Sequence, residues 1–500
     1  MEQRAPMAKL SWLGVAICGV LLLAGPATAG KHRPAKSRAA AKTHFVNFGL
    51  AQTPGVSCPG SAKCSNIAAE PAIRADAAGE LFASSENGLG SGTEAWRSLD
   101  GGRHYTALDS PDQGSTSNNT GFAPGGGDTD LAVATARNPA HHYNVYVATL
   151  TLANVSVSTS TDQGKTWTLN PTGADVGGAD DRPWIAADGA SKVCVSYHDG
   201  PQNIDVDCST DAGQTFTQLA SAIDTSHAFQ IGNNEIGNLA IDPKTHDVFQ
   251  TYSAITSQSE VACAPQLGVS AGTCGYHGVY MAVSTDGGQS FTDYPVYVNK
   301  KATVDYGHQF VNVSVDRAGN VYSVYTDDHH VYYSFSTDHG KTWKGPYLIT
   351  TTRGTQIFPW STAGDAGKLD VVYYQTPYYD SKQIPDTYPS SAKWTVGFAQ
   401  DLHALTPGSK WVRFTASPVV HAGAVCESGA TCSGNRDLYD DFGVAASPRT
   451  GLASIVYSDD QWAKNGRTNP SCTAKSDTNS SSCDHTAVAT QTSGRRIFSR

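Results

Sequence analysis

The sequence predicts an all-β protein made of repeated four-stranded units stacked around an axis. Three observations predict it. Charged residues are only 16% of the 500 residues, Gly numbers 49 and Met only 3, a composition suited to strands joined by tight turns. One short turn pattern recurs five times along the chain. Between its copies lie apolar, β-branched and aromatic runs of strand length, punctuated by Gly, Asp, Asn and Pro. Helical bundles and coiled coils are excluded, because they need Ala/Glu/Lys/Leu-rich stretches with a 3.5 or 3.6 period. With 35 Lys+Arg against 45 Asp+Glu the formal charge is −10, which repels phosphate and argues against nucleic acid as a partner.

The N-terminus reads as an export signal. Arg4 and Lys9 precede an apolar run from Leu10 to Ala24, and the small residues Ala27-Thr28-Ala29 follow Gly25-Pro26. That order predicts a cleaved secretory signal over residues 1–29, with cleavage after Ala29 and Met7 as an alternative start. Residues 30–43, with Lys31, His32, Arg33, Lys36, Arg38 and Lys42, read as a flexible basic leader. A single domain is expected over 44–500. No Cys stands at the cleavage point to carry a lipid, and no second apolar run is long enough to span a membrane, so a secreted, extracellular monomer is expected.

Eleven cysteines fit this compartment. Cys18 leaves with the signal. The rest fall in close neighbours that suggest the pairs Cys58–Cys64, Cys194–Cys208, Cys263–Cys274, Cys426–Cys432 and Cys472–Cys483. For Cys194 and Cys208 the reason is geometric. The strand-like Lys192–His198 and Ile204–Cys208 flank a turn at Asp199-Gly200-Pro201-Gln202-Asn203, so the two cysteines face each other across a hairpin. Zinc is the rival reading, but no Cys-x-x-Cys occurs.

The repeated pattern is Ser-x-Asp-x-Gly-x-(Thr/Ser/His)-aromatic. It runs from Ser98 to Tyr105, Ser160 to Trp167, Ser209 to Phe216, Ser284 to Phe291 and Ser336 to Trp343. Its aspartates, Asp100, Asp162, Asp211, Asp286 and Asp338, can accept turn N–H groups while Gly supplies a positive φ. These carboxylates therefore read as structural.

The pattern resembles the Asp-box, or BNR repeat, of the sialidase-like β-propeller superfamily, over nearly the whole mature chain. The resemblance implies a propeller of four-stranded blades. Inner-strand starts at Pro71, Leu131, Pro183, Gly237, Val311, Pro359 and Phe442 count seven blades, with six as the alternative. The last two blades lack a clear box, and Trp394–Phe414 and Thr486–Phe498 read as degenerate outer hairpins. In such a fold the boxes occupy one face and ligands meet the other. Long insertions at 253–275, 376–393, 414–441 and 459–484 belong to that second face. The pairs Cys263–Cys274 and Cys472–Cys483 would staple two of them, and Cys58–Cys64 and Cys426–Cys432 would brace the loops before blades one and seven.

Residues just before each inner strand should ring the axial mouth. They bring together Glu70, Asp130, Asp181, Arg182, Glu235, His308, Tyr439, Asp440 and Asp441, with Tyr306 close by. Crowded carboxylates suit acid–base work on a glycoside, because one is pushed to hold its proton while another stays ionised. Asp130, Asp181, Glu235, Asp440 and Asp441, with Tyr439, are the catalytic candidates. Glu70, Arg182, Tyr306 and His308 are the substrate-binding candidates. A solvated acidic rim, Arg182 neutralising Asp181 and Asp441 structurally, and a Ca²⁺ site are the competing readings, and no other cofactor is implied. Asp327-Asp328-His329-His330 reads as a polar loop tip, and Trp360, Tyr378, Tyr379, Trp394 and Trp462 as rim aromatics, with packing between blades the stronger reading for Trp360, as for Trp184.

Sialidase-like enzymes hold a substrate carboxylate with three arginines, use a Tyr nucleophile paired with Glu, and use an Asp acid/base. The resemblance thus implies a glycoside hydrolase of sialidase-like, exo-acting type on extracellular glycans. Arg182, Arg353 and Arg436 could form the arginine set, and Tyr439 with Glu235 the nucleophile pair. The family's Arg-Ile-Pro sequence is missing, and Arg182-Pro183-Trp184 is its nearest echo. A non-catalytic glycan- or protein-binding propeller is the alternative. So is a polysaccharide lyase with Tyr306 or Tyr439 as base and Arg182 on a uronate.

Overall fold

The computed structural model describes residues 42–499 except 57–68, 119–124, 153, 174–179, 266–272, 352, 427–431, 433–435, 437, 461–462, 465–466 and 469–483. The expected signal, nearly all of the basic leader and Trp462 therefore lie outside the described residues.

Seven four-stranded antiparallel sheets make a seven-bladed β-propeller. The innermost strands, in blade order, are Ala69–Ala75, Thr129–Val133, Asp181–Asp188, Asn234–Ile241, Asn312–Val315, Thr355–Ala363 and Gly443–Ala446. Each blade is sandwiched between two neighbours, so its inner strands are buried on both faces. In Val321–Thr326 of blade five all six residues are buried, which explains an apolar run where alternation would mark a one-sided sheet. Among the described residues no helix is long and apolar enough to cross a membrane.

The five repeated turns each join the third and fourth strands of blades one to five. In every copy the Ser hydroxyl donates to the Asp carboxylate, and the Gly N–H donates back to the Ser oxygen. In the third copy the Thr215 hydroxyl and N–H hold the Asp211 carboxyl down to about 2. The glycines serve two ends. Gly213 and Gly288 have φ of 78° and 97°, and a Cβ there would lie 2.8 Å from Thr159 Oγ1 and Cys208 Sγ of the preceding blade. The turn thus closes its own hairpin and lets blade pack on blade.

Blades six and seven lack the pattern for different reasons. Blade six joins Lys393–Asp401 to Val412–Ala422 by a longer loop. Blade seven has no such turn at all: Thr486–Ser493 pairs with His44–Gly49 from the other end of the chain. The expected outer hairpin over Thr486–Phe498 is therefore replaced by an N-terminal strand that closes the ring. Asn47 fastens this strand on both sides, donating to the Ala416 carbonyl of blade six at 2.8 Å and accepting from the Tyr457 hydroxyl at 2.9 Å. Asn47→Ala leaves the buried Tyr457 hydroxyl without its acceptor. It should cost about 1–3 kcal/mol, read as a lower urea midpoint at unchanged slope.

Among the described residues three of the five expected disulfides are present, Cys194–Cys208, Cys263–Cys274 and Cys426–Cys432. The first joins residues directly opposite each other in the blade-three hairpin. The other two expected pairs, Cys58 with Cys64 and Cys472 with Cys483, fall within 57–68 and 469–483, outside the described residues.

One buried carboxyl makes stability depend on pH. Asp370, fully buried in blade six, accepts from Gln400 Nε2 at 2.8 Å through one oxygen, and its other oxygen has no partner among the described residues. Burial pushes its carboxyl up to about 8. The folded state thus holds a proton that the unfolded chain releases near pH 4. Stability is fully present below that value and falls as pH rises toward about 8. Asp370→Asn should therefore melt higher than the parent near pH 9, with the difference shrinking toward pH 5.

Candidate functional site

The mouth is shaped by an irregularity in the inner strands. In blades one, three, four and six the pairing of first and second strand slips by one residue, between Ala69 and Ala72, Asp181 and Trp184, Ile236 and Leu239, and Ile357 and Trp360. Such bulges re-aim side chains. In three of them the bulged residue precedes a proline and has positive φ: Glu70 at 47°, Arg182 at 53° and Phe358 at 51°. Tyr439, entering blade seven, has φ of 54°. Non-glycine residues in this region cost about 1–3 kcal/mol each, and here three of the four belong to one charged cluster.

At its centre is Glu70, fully buried. Arg182 Nη1 donates to Glu70 Oε2 at 2.5 Å, and Arg436 Nη2 approaches Oε1 at 3.3 Å. Arg182 also reaches Asp441 at 3.1 Å and Asp128 at 3.5 Å, while Arg436 reaches Asp440 at 2.6 Å. Beneath Arg182 lie the rings of Trp184 and Phe310, 4.8 and 4.4 Å from the guanidinium carbon, and Trp184 packs on Trp360 at 5.2 Å. Aromatic side chains from blades three, five and six thus form a floor under the charges.

Too few cations serve these carboxyls, so they divide into two states. Burial pushes Glu70 up, but Arg182 and Arg436 outweigh it and hold the carboxyl below its usual range. Burial together with the Glu70 charge then raises Asp128 to about 6 and Asp440 to about 7, against the pull of the arginines. Burial raises Asp441 to about 8, with Arg182 opposing it and the Glu70 charge adding to it. Glu86, the last residue of strand Leu81–Glu86, is pushed well up by burial and by Glu70 and Asp128.

Glu235 of blade four is different. Burial and then the Asp181 charge raise it to about 8, yet it is only half-buried and accepts no hydrogen bond among the described residues. Gly307 packs against it: a Cβ at that position would lie 3.1 Å from Glu235 Cβ. Asp181 is exposed, with one oxygen taking the Arg182 N–H at 2.9 Å.

Several candidates lie elsewhere. Asp130 makes no ion pair with Arg182 or Arg436 among the described residues. It takes Arg74 through both oxygens, at 2.8 and 3.0 Å, and accepts the Ile185 N–H, bracing three inner strands. Blade two pairs without such a bulge, and it is Asp128, two residues earlier, that reaches Arg182 at the mouth. Tyr306 is a core side chain, its ring 5.3 Å from Tyr325 and its hydroxyl held by Asn299. His308 pairs with Asp328 at 3.0 Å and approaches Asp386 at 3.6 Å, on the blade-five and blade-six side. Arg353 lines a separate cavity with residues of blade six. Tyr439 lies by Arg436, and burial with the Asp484 and Glu86 charges pushes its phenol up. Glu86, Asp128 and Arg436 complete the cluster. Glu86 was legible only as a carboxylate ending an apolar strand at this face.

Two groups of residues could hold a cation. Glu70, Glu86 and Asp128 offer oxygens within 4.8 Å of one another, but both Glu70 oxygens already face guanidinium groups, which supply the positive charge that Ca²⁺ would bring. Asp224, His227 and Asp293 also converge. There the two aspartates exchange backbone N–H bonds at 2.8 and 3.0 Å, an arrangement that clamps blade three to blade four.

No protein-family model and no curated protein matches the chain. Solved structures do resemble it. A protein of unknown function from Dyadobacter fermentans aligns over 91% of this chain and 99% of its own, at 11% identity and a TM-score of 0.44. A GH74 xyloglucanase from Xanthomonas campestris aligns over 83% of this chain and 52% of its own, at 14% identity and 0.45. A GH93 α-L-arabinofuranosidase of Fusarium graminearum, solved with arabinobiose, aligns over 65% and 92%, at 14% and 0.41.

Proposed function

We propose that this chain is a secreted, carbohydrate-active propeller whose mouth hydrolyses glycosides of extracellular glycans in an exo-acting, sialidase-like manner. The observation that carries the reading is Glu235, a half-buried carboxyl that accepts no hydrogen bond among the described residues, raised to about 8 by burial and the neighbouring Asp181 charge. Such a group keeps its proton at neutral pH and can give it to a leaving oxygen, while an exposed carboxylate beside it serves as base or nucleophile. Glu235 is the general acid in this reading and Asp181 the base or nucleophile beside it. Asp440 and Asp441, steered by the arginines, line the same mouth. Glu70 touches no substrate; it sets the charge balance.

The reading differs from a sialidase at two points. Arg182 and Arg436 are already neutralised by Glu70, Asp128, Asp440 and Asp441, which leaves no open arginine set among the described residues of the mouth for a substrate carboxylate. Tyr439 holds its proton, against a role as nucleophile or lyase base. A neutral sugar at the point of cleavage fits better. The self-contained ion pairing of Glu70 favours the second reading, a binding propeller without turnover.

Product release by residues 30–500 decides between them, over a panel of sialosides, neutral aryl glycosides and uronic-acid polysaccharides, with and without Ca²⁺. Freed neutral sugar, lost in Glu235→Gln, supports the hydrolase. Unsaturated product shows a lyase, and saturable binding without product shows a binding propeller.

A further inference from the structure

Away from the mouth, a cavity of about 350 Å³ opens where the blade-five exit meets blade six. It is the size of a small-ligand pocket. Among the described residues its lining holds three cations, Arg353, Lys393 and Arg413, and no carboxylate, in a chain whose net charge is −10. All three side chains are exposed, and none makes an ion pair among the described residues. Arg413 is positioned from behind: its Nε donates to the Ile349 carbonyl at 2.6 Å and its Nη1 to that of Trp411 at 3.3 Å. Its Nη2 has no partner among the described residues.

The rest of the lining is polar in a particular way. Gln375 donates to Thr415 Oγ1 at 3.1 Å and to Thr395 Oγ1 at 3.4 Å, so amide and hydroxyls are already ordered. Gln356 is only 4% exposed; its Nε2 donates to the Arg353 carbonyl, and its Oε1 is buried with no hydrogen-bond partner among the described residues. A buried acceptor of this kind is costly unless a ligand hydroxyl or N–H meets it. The pocket therefore offers donors for an anion and an acceptor and hydroxyls for a polyol.

We propose that this cavity is a binding subsite for an anionic saccharide, one whose carboxylate or sulfate meets Arg353, Lys393 and Arg413 and whose hydroxyls meet Gln356 and the threonines. Binding here is independent of the chemistry proposed for the mouth. The glycan is held by its acidic part at blade six, whatever is done to another residue of it at the axis.

Calorimetric titration of the full mature chain tests this directly. The probes are a linear trisaccharide containing a uronic acid, an O-sulfated trisaccharide and a neutral trisaccharide of the same length. Binding of either anionic probe, at least about tenfold tighter than the neutral one and weakened on raising salt from about 50 to about 300 mM, is the expected result. Arg353→Gln with Arg413→Gln should weaken it about tenfold or more, and Lys393→Gln, which breaks no hydrogen bond or ion pair among the described residues, several-fold. Glu235→Gln should leave it unchanged, so failure at the mouth and failure at this pocket are separable. Equal binding of neutral and anionic probes, no binding of either anionic probe, or a loss in Glu235→Gln with none in Lys393→Gln overturns the proposal.

Discussion

Arg182→Met should destabilise the protein by about 3–5 kcal/mol, because removing one partner of a buried ion pair leaves uncompensated charge behind. Arg182 faces Glu70 at 2.5 Å, Asp441 at 3.1 Å and Asp128 at 3.5 Å, with its side chain only 7% exposed. The methionine keeps the contact with Trp184 and Phe310, so the loss reports the charge rather than a cavity. Without the guanidinium, Glu70 loses the larger of the two charges that hold its carboxyl down. The variant's deficit should therefore shrink below about pH 5, where the carboxyls take up protons. Arg182→Met with Glu70→Gln should recover a good part of the loss. Chemical denaturation at two pH values checks both statements. A deficit that does not change with pH would show that Arg182 acts through packing alone.

Glu235→Gln should lower turnover by about 10²–10⁴-fold on any glycoside the chain cleaves, with the melting temperature kept, since general acid catalysis contributes about that much. The wild-type rate should fall as pH rises through about 8, where the Glu235 carboxyl gives up its proton. Asp181→Asn removes the charge that, after burial, does most to raise Glu235. Its alkaline limb should therefore move to lower pH, beyond any loss in rate. An unshifted limb in Asp181→Asn, or full activity in Glu235→Gln, would remove this pair from the mechanism.

The repeated turns were legible because every contact they need lies within eight residues. Ser160, Asp162 and Gly164 meet through bonds between residues two and four apart. Any chain with that spelling can form the same turn, and five copies announce the stacked blades. The Cys194–Cys208 disulfide was readable for the same reason, from a hairpin with symmetrical arms. Ring closure was not. His44–Gly49 sits beside a basic leader and carries no turn signal, and its partner strand lies at the far end of the chain.

The mouth was legible as a neighbourhood but not as a set of pairs. Counting back from inner strands brought Glu70, Arg182, Asp440 and Asp441 together, and the structure joins them. The same count put Asp130, two residues later than Asp128, level with Glu70 and Arg182, because a regular inner strand in blade two cannot be aligned by counting with the bulged strands of blades one, three, four and six. Arg436 meets Glu70 across 366 residues of chain.

Composition, the repeated turn and the spacing of apolar runs thus determined the class of fold, a count of seven blades with six as the alternative, and the structural role of the five turn aspartates, since those rest on local hydrogen bonds and strand-length burial. Only the tertiary structure decided which carboxyl faces which arginine. It also decided that the N-terminal strand shuts the ring, and that three cations without ion pairs among the described residues share a pocket with a buried amide oxygen. These depend on blades brought side by side by packing, and on bulges whose register no local pattern specifies.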